Sequence, residues 1–511
     1  MIQRIFFLIL FLLLSSCSRD KDSDTTSTSE NLTPKLVFGG LSSVSSKTDS
    51  SIELHWSVHE SADSYEVFDT KSGTPVLLKS VSGQATNSVI LTGLTPDANY
   101  SFRVRIKTLS GLSDSNVNNI NVVMAPVPPS LLALHTLTAS AAITVKPKLT
   151  ISGVKSGDVI KLFTDSACST PYVANGVASG SSIDLTSTPL EVGSHSFYAT
   201  ATNLSLVTSA CSTASVTYQR IACPTNFIPV PFNSSVGTTS DFCVAKYEMK
   251  CVGATCSTNK PSATAVATSK PSGTPWNLIS RTSDLVACSN LNALNEVSSK
   301  YFMITNAEWM TIARDIESVG ENWSGSLPGM GVLARGHSDE VEVVEAVLPP
   351  LLEASSDDSD SYFGTGNSSA DAPNSGWEQK RTHTLSNGQV VWDLAGNVQE
   401  AVDWIVTTKA YNSAISIETG QPEVWIDFKD INTFASETDE MKPSTWQPFY
   451  SSLTGLEGLG KYFSGTKDKG RSARRGGHYG QGNIAGIYNL RLSGTAGYFH
   501  SSLGFRCVYR P

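Results

Sequence analysis

The segment 475–507 reads RGGHYGQGNIAGIYNLRLSGTAGYFHSSLGFRC. Glycines punctuate it, aromatics sit among them, and it closes on Gly504-Phe505-Arg506-Cys507. It therefore predicts strand and loop. After Ala485-Gly486, residues Tyr488, Leu490 and Leu492 fall on one side of a strand, with Asn489 and Arg491 on the other. Alternation of period two sends the leucines inward and leaves the other side for contact with a partner.

A second marker lies upstream, WDLAGNVQE at 392–400. Together the two stretches resemble the C-terminal half of the formylglycine-generating-enzyme (sulfatase-modifying factor) family, a branch of the C-type-lectin-like folds. The resemblance covers roughly 220–511. It implies an α+β domain with either an oxidative activity or a purely ligand-binding one.

The chain start bounds where such a domain works. Arg4 precedes an apolar run from Ile5 to Leu14, and Leu14-Ser15-Ser16-Cys17 follows. This reads as an export signal, too short to span a hydrocarbon core of about 30 Å. The end of the run resembles a bacterial lipoprotein processing site, with Cys17 carrying the lipid; the plainer reading is a signal peptide with an incidental cysteine. A lipid would tie the chain to a membrane surface, its only membrane contact. Ser18 in place of aspartate favours the outer membrane or the cell surface of a bacterial envelope. Residues 18–34 are rich in Ser, Thr and Asp and read as a flexible tether. Net charge is −9 without a basic patch, which argues against nucleic-acid partners.

Residues 35–124 alternate polar and apolar positions, with Trp56 pointing inward from Ile52-Glu53-Leu54-His55-Trp56. Leu94-Thr95-Pro96 runs to Tyr100 in an L-x-P-x-x-x-Y turn. This resembles the fibronectin type III domain and its tyrosine corner, with Trp56 and Tyr100 as core anchors. After a Pro-rich spacer at 125–129, residues 130–219 show short strands at turn spacing and resemble a bacterial Ig-like sandwich. Neither domain carries a catalytic constellation; their expected work is spacing. The fold class expected is thus multidomain: two all-β Ig-like sandwiches, then an α+β C-type-lectin-like domain.

Without Cys17, eight cysteines remain, an even number in an exported chain. Cys168 and Cys211 are alone in their domain and are expected to pair. The resemblance implies Cys288 with Cys507; Cys223 with Cys243 and Cys251 with Cys256 would complete the set, though spacing alone proves no connectivity. Thr305-Asn306-Ala307-Glu308 forms a capping box, followed by a stripe of Trp309, Ile312, Ala313 and Ile316 on one helix face. The acidic run Ser355-Ser356-Asp357-Asp358-Ser359-Asp360 suits either calcium or a solvated loop.

In the resembled family the stretch matching 392–400 holds a structural calcium ion. Carried over, the ligands are Asp393, the carbonyls of Gly396 and Val398, and Glu400, a mixed oxygen set of the kind Ca2+ takes. A tight turn with Glu400 in an ion pair is the alternative. The family's oxidase chemistry uses copper held by two cysteines beyond the RGG motif. Those positions here are Gln481 and Gly486, which offer no thiolate, so no copper is expected. His478 stands where the family has serine; a metal site on His478 and His500 is the weaker reading beside ordinary loop histidines.

What remains is recognition. The segment is similar to the variable region of lectin-fold proteins diversified by retroelements. The expected contact surface is His478, Tyr479, Gln481, Asn483, Asn489, Arg491, Tyr498, Phe499 and His500. Exposed Tyr, Phe and Arg are common recognition anchors. The expected function is a surface-tethered lipoprotein that binds a protein or glycan ligand. The alternatives are an enzyme on the same scaffold with altered chemistry, or a structural envelope protein.

Overall fold

The computed structural model describes residues 36–136, 138–253, 265–341, 350–367, 376–406, 425–428, 458–463 and 471–511. Cys17, the tether at 18–34 and Cys256 lie outside them. The chain divides into two compact units after Met124. No helix among the described residues is long and apolar enough to cross a membrane.

The first unit is an antiparallel sandwich. One sheet orders the strands Leu41–Lys47, Ser51–Trp56 and Ser88–Thr92; the other orders Val76–Ser82, Ser64–Asp69, Asn99–Lys107 and Ile120–Val123. Alternation is strict where a sheet has one dry face: Ile52, Leu54 and Trp56 are buried while Ser51, Glu53 and His55 are half-exposed. The Trp56 ring lies 5.2 Å from that of Tyr65, and its Nε1 donates to the Thr86 carbonyl at 2.9 Å. Tyr100 is partly buried, and its hydroxyl accepts from the Thr95 amide at 2.9 Å, closing the turn that the L-x-P-x-x-x-Y pattern implies.

The second unit begins with another sandwich. Ser182–Thr186, Lys148–Ser152 and Leu131–Leu134 form one sheet, and Ala174–Val177, Val159–Phe163, Gly193–Thr202, Val216–Arg220 and Ala141–Ala142 the other. Leu149, Ile151, Ile160, Leu162, Phe197 and Ala199 fill the space between them. The Cys168–Cys211 disulfide links the loops after two neighbouring strands, Val159–Phe163 and Gly193–Thr202.

Among the described residues the C-terminal part holds two α-helices, two larger sheets and two two-stranded ones, Met249–Val252 with Val266–Ser269 and Thr382–Thr384 with Val390–Trp392. The first sheet orders Phe227–Val230, Phe242–Ala245, Cys507–Tyr509 and Tyr301–Met303, so the beginning of this part pairs with its end. The second orders Trp425–Ile426, Tyr462–Phe463, Gly486–Leu492, Arg471–Gly476, Gln399–Val406 and Leu503–Phe505. Helix Asn306–Glu317 starts at the expected box: the Thr305 hydroxyl accepts from the Glu308 amide, and the Glu308 carboxylate accepts from the Thr305 amide. Its stripe of Trp309, Ile312, Ala313 and Ile316 is fully buried, and Trp309 Nε1 donates to the Ile487 carbonyl at 2.7 Å. Helix Arg281–Leu294 carries Cys288, bonded to Cys507 on the final strand. Cys223 is bonded to Cys243, and Cys251 is also in a disulfide.

Candidate functional site

The stretch 392–400 folds as a tight left-handed turn. Asp393, Gly396 and Asn397 take φ of 50°, 76° and 56°. A side chain at Gly396 would set its Cβ 2.5 Å from the His337 carbonyl oxygen, so the turn requires glycine there.

The two carboxylates expected as calcium ligands are each held by a guanidinium. Asp393 is gripped by the fork of Arg381, with Nε to Oδ1 and Nη2 to Oδ2 both at 2.7 Å. Glu400 is gripped by Arg506, whose Nε lies 3.1 Å from each carboxylate oxygen and whose Nη2 donates at 2.7 Å. All four side chains are 0–1% exposed. The amide of Val398 donates to Glu248, and that of Gly396 to the Gly476 carbonyl. A divalent ion needs carboxylate oxygens turned toward a common point; here each carboxylate is satisfied by its own guanidinium. Asp393 and Glu400 thus belong to an ionic seam, to which Gly396 and Val398 contribute backbone amides. The acidic run at 355–360 is likewise turned on itself: Asp357 caps Ser359, and Asp358 pairs with Lys246 at 2.7 Å.

The seam continues inward. Glu248 accepts from Asn397 Nδ2 at 2.6 Å and faces Lys250 Nζ at 4.0 Å. Burial first, then Asp393, pushes the Glu248 carboxyl up to about 8, while burial lowers the Lys250 ammonium. Glu400 is raised by burial too, against the pull of Arg506.

His383 is fully buried with Nε2 donating to the Ala334 carbonyl, and burial lowers it to about 4 from 6.5. A histidine buried neutral supports folding above its unfolded pKa, and that support is lost as pH falls toward the folded one. The loss between pH 6.5 and 4 is expected to be roughly 3 kcal/mol. Glu248 and Glu400 act in the opposite sense above pH 4.5, so the difference between the natural chain and His383→Gln isolates the histidine. Urea titrations are expected to show the variant gaining on the natural chain by roughly 3 kcal/mol as pH falls from 6.5 to 4; a difference that stays constant with pH would reject the assignment.

The nine residues expected as a contact surface divide into three groups. His478, Tyr479 and Asn489 are 2%, 0% and 1% exposed and leave the surface. Strand Gly486–Leu492 is buried on both faces along most of its length, and on the side of Asn489 the chain at Gly460 and Ile484 packs over it. Asn489 Nδ2 donates back to the Ile484 carbonyl at 2.8 Å. Gln481 and Asn483 sit at a short 3-10 turn, Gly482–Ile484, where Gln481 Oε1 accepts from the His478 amide and Asn483 is exposed. Arg491, Tyr498, Phe499 and His500 do meet at the surface: Phe499 is 46% exposed, and the Tyr498 and His500 rings stack 6.1 Å apart. His478 lies behind them, held down to about 3 by burial and by the charges of Arg491, His500 and Arg474.

Sequence reasoning missed three members of this patch. Phe463 and Trp425 lie in one row with Arg491, through the pairs Phe463↔Arg491 and Trp425↔Phe463. Arg474 lies directly opposite Arg491 in the neighbouring strand. An arginine beside the RGG motif was the available signal, but its side of the sheet depends on register.

A cleft of about 370 Å³ lies where the second sandwich meets the C-terminal part, lined by Lys146, Lys148, His135 and Phe232 among others. Its charges are engaged: Lys148 and His135 with Asp184 at 3.0 and 3.4 Å, and Lys146 with the Ser386 carbonyl. We describe it as a seam within the second unit.

The family model for the fibronectin type III domain matches residues 40–119, and the first unit contains that domain. No curated protein matches the chain. Among solved structures, the chain is similar to a segment of two fibronectin type III domains from chicken tenascin, at 16% identity over 35% of this chain and 97% of that one, with a TM-score of 0.24. It is also similar to the fibronectin(III)-like modules of Clostridium thermocellum CbhA, at 12% identity over 35% and 91%, TM-score 0.20. A third is the FN5 domain of Drosophila Lar, at 24% identity over 17% and 94%, TM-score 0.14.

Proposed function

We propose that this protein is a lipid-anchored protein of a bacterial envelope, whose C-terminal part is a C-type-lectin-like domain of the sulfatase-modifying type that binds an extracellular protein or glycan ligand. The observation that carries the reading is the surface patch of Arg491, on a strand of the six-stranded sheet, with Tyr498, Phe499 and His500 in the loop that follows it. A patch of arginine and rings backed by a rigid sheet presents contact area at low entropic cost.

Three further features support it. The beginning and end of the C-terminal part pair in one sheet, and Cys288–Cys507 ties a helix to the last strand, as the resemblance implies. Gly486 stands where the resembled oxidases keep a second copper-binding cysteine, and a Cβ there would lie 2.3 Å from Gly460 N. Gln481 replaces the first, and an amide is no ligand for copper(I).

The test is binding of the mature chain to glycan and protein arrays. Arg491→Ala and Tyr498→Ala are expected to abolish the array signals, with circular dichroism unchanged; signals that survive both substitutions reject the face. Turnover of a cysteine-containing peptide with added copper would instead favour the enzymatic alternative. In the same cells, Cys17→Ser is expected to move the protein from the membrane to the soluble fraction, and retention at the membrane would reject the lipid anchor.

A further inference from the structure

In the hairpin Arg471–Gly476 and Gly486–Leu492, Arg474 and Arg491 are direct partners across the strands. Partners in an antiparallel pair point to one side of the sheet, about 5 Å apart at Cβ, where like charges repel. Among the described residues no carboxylate acts on Arg474, whose neighbours are the Arg491 guanidinium and the Tyr498 phenol. Burial first, then Arg491, lowers the Arg474 guanidinium to about 10. Both arginines lean on Ser493: Arg491 Nε donates to its hydroxyl at 3.0 Å, and Arg474 Nη2 to its carbonyl oxygen. Arg474 is 2% exposed; Tyr498 is its one hydroxyl-bearing ring neighbour, and among the described residues its Nε and Nη1 meet no closer hydrogen-bond acceptor.

A buried guanidinium with two unengaged nitrogens, facing a second guanidinium, costs stability unless something negative joins them. Rings frame the pair. Arg491 Cζ lies 5.2 Å from the Phe463 centroid and 5.8 Å from that of Trp425, and Arg474 Cζ lies 4.6 Å from that of Tyr498.

We propose that this face binds the oxyanion of an acidic saccharide, a carboxylate or a sulfate carried on a sugar ring. The inference rests on the ligand-binding reading above and names the class of ligand. Half-exposed Arg491 meets the oxyanion first. Arg474 supplies its two idle donors once the Tyr498 ring slides from above it. Guanidinium groups match carboxylate and sulfate by forked, charge-assisted hydrogen bonds. The electron-rich faces of the flanking rings suit the C–H side of a sugar.

The test is a calorimetric titration of the full mature chain at fixed ionic strength. The probes are a glucuronate-containing tetrasaccharide, its neutral glucose counterpart, inorganic sulfate and polyglutamate. The uronate and sulfate are expected to bind and the neutral sugar not to. Arg491→Gln is expected to weaken uronate binding by about tenfold or more, the worth of one charge-assisted pair. Arg491→Lys recovers only part, because it keeps the charge and loses the fork. Arg474→Met is expected to behave like Arg491→Gln; if it fails to fold, Arg491→Gln alone decides. Equal affinity for the neutral sugar, or unchanged affinity in Arg491→Gln, overturns the proposal. Binding of polyglutamate in preference to the uronate overturns the saccharide class. Array binding that ignores charge overturns this inference alone, whereas silence with every probe and every array overturns it together with the binding reading.

Discussion

Replacing Arg506 with methionine is expected to destabilise the C-terminal part by roughly 3–5 kcal/mol, the loss that follows when one partner of a buried ion pair is removed. Arg506 is 0% exposed and holds Glu400 through both nitrogens of its fork. It also donates to the carbonyls of Ala245, Trp392 and Asp393 at 2.8, 2.9 and 3.2 Å. Its removal leaves a buried carboxylate without a counter-charge and three carbonyl oxygens without a donor. Adding Glu400→Leu to the same chain is expected to restore part of the loss, since an apolar pair in place of a buried ion pair is close to neutral. Urea unfolding followed by tryptophan fluorescence reads this part selectively, because eight of the nine tryptophans lie beyond residue 275 and only Trp56 lies before it. A shift in midpoint below that of an ordinary surface substitution would show that the pair is not a keystone of the fold.

The second large effect is expected from the Cys288–Cys507 bond. The two residues are 219 apart in sequence, and no other disulfide with both partners described closes so long a loop. In the chain-entropy account such a cross-link stabilises by roughly 4–5 kcal/mol, by removing open conformations from the unfolded ensemble. The double substitution Cys288→Ala and Cys507→Ala is therefore expected to lower the unfolding temperature of the second unit more than Cys168→Ala with Cys211→Ala does, where the separation is 43. Scanning calorimetry of the two double variants reads both shifts. Equal shifts would mean that packing of Cys288 and Cys507, both 0% exposed, and not loop closure, sets the effect.

These two expectations mark where sequence reading succeeded and where it stopped. Cys288 and Cys507 were legible as partners through the resemblance, and the structure joins them. Arg506 was legible only as a letter in a closing motif. Asp393 and Glu400 read as calcium ligands because a carboxylate in a glycine turn carries no mark of its counter-ion. That counter-ion comes from Arg381 for one and from Arg506 for the other, and Arg506 is 106 residues away from Glu400. The contact face shows the same limit. Alternation in the strand Gly486–Leu492 correctly placed Tyr488, Leu490 and Leu492 inward, but it also promised an open face at Asn489. A strand at the centre of a six-stranded sheet, covered on both sides, does not keep that promise.

What the sequence determined by itself is local: the alternating strands and tyrosine corner of residues 40–119, the capped helix Asn306–Glu317, and the turn that needs glycine at 396. Each follows from neighbours a few residues apart, where propensity, alternation and capping act. Tertiary structure alone decided which charges meet. It set Arg381 on Asp393, Arg506 on Glu400, and Arg474 across from Arg491. Charges are placed by strand register and by contacts between distant segments; a shift of one residue in register would carry Arg474 or Arg491 to the other side of the sheet.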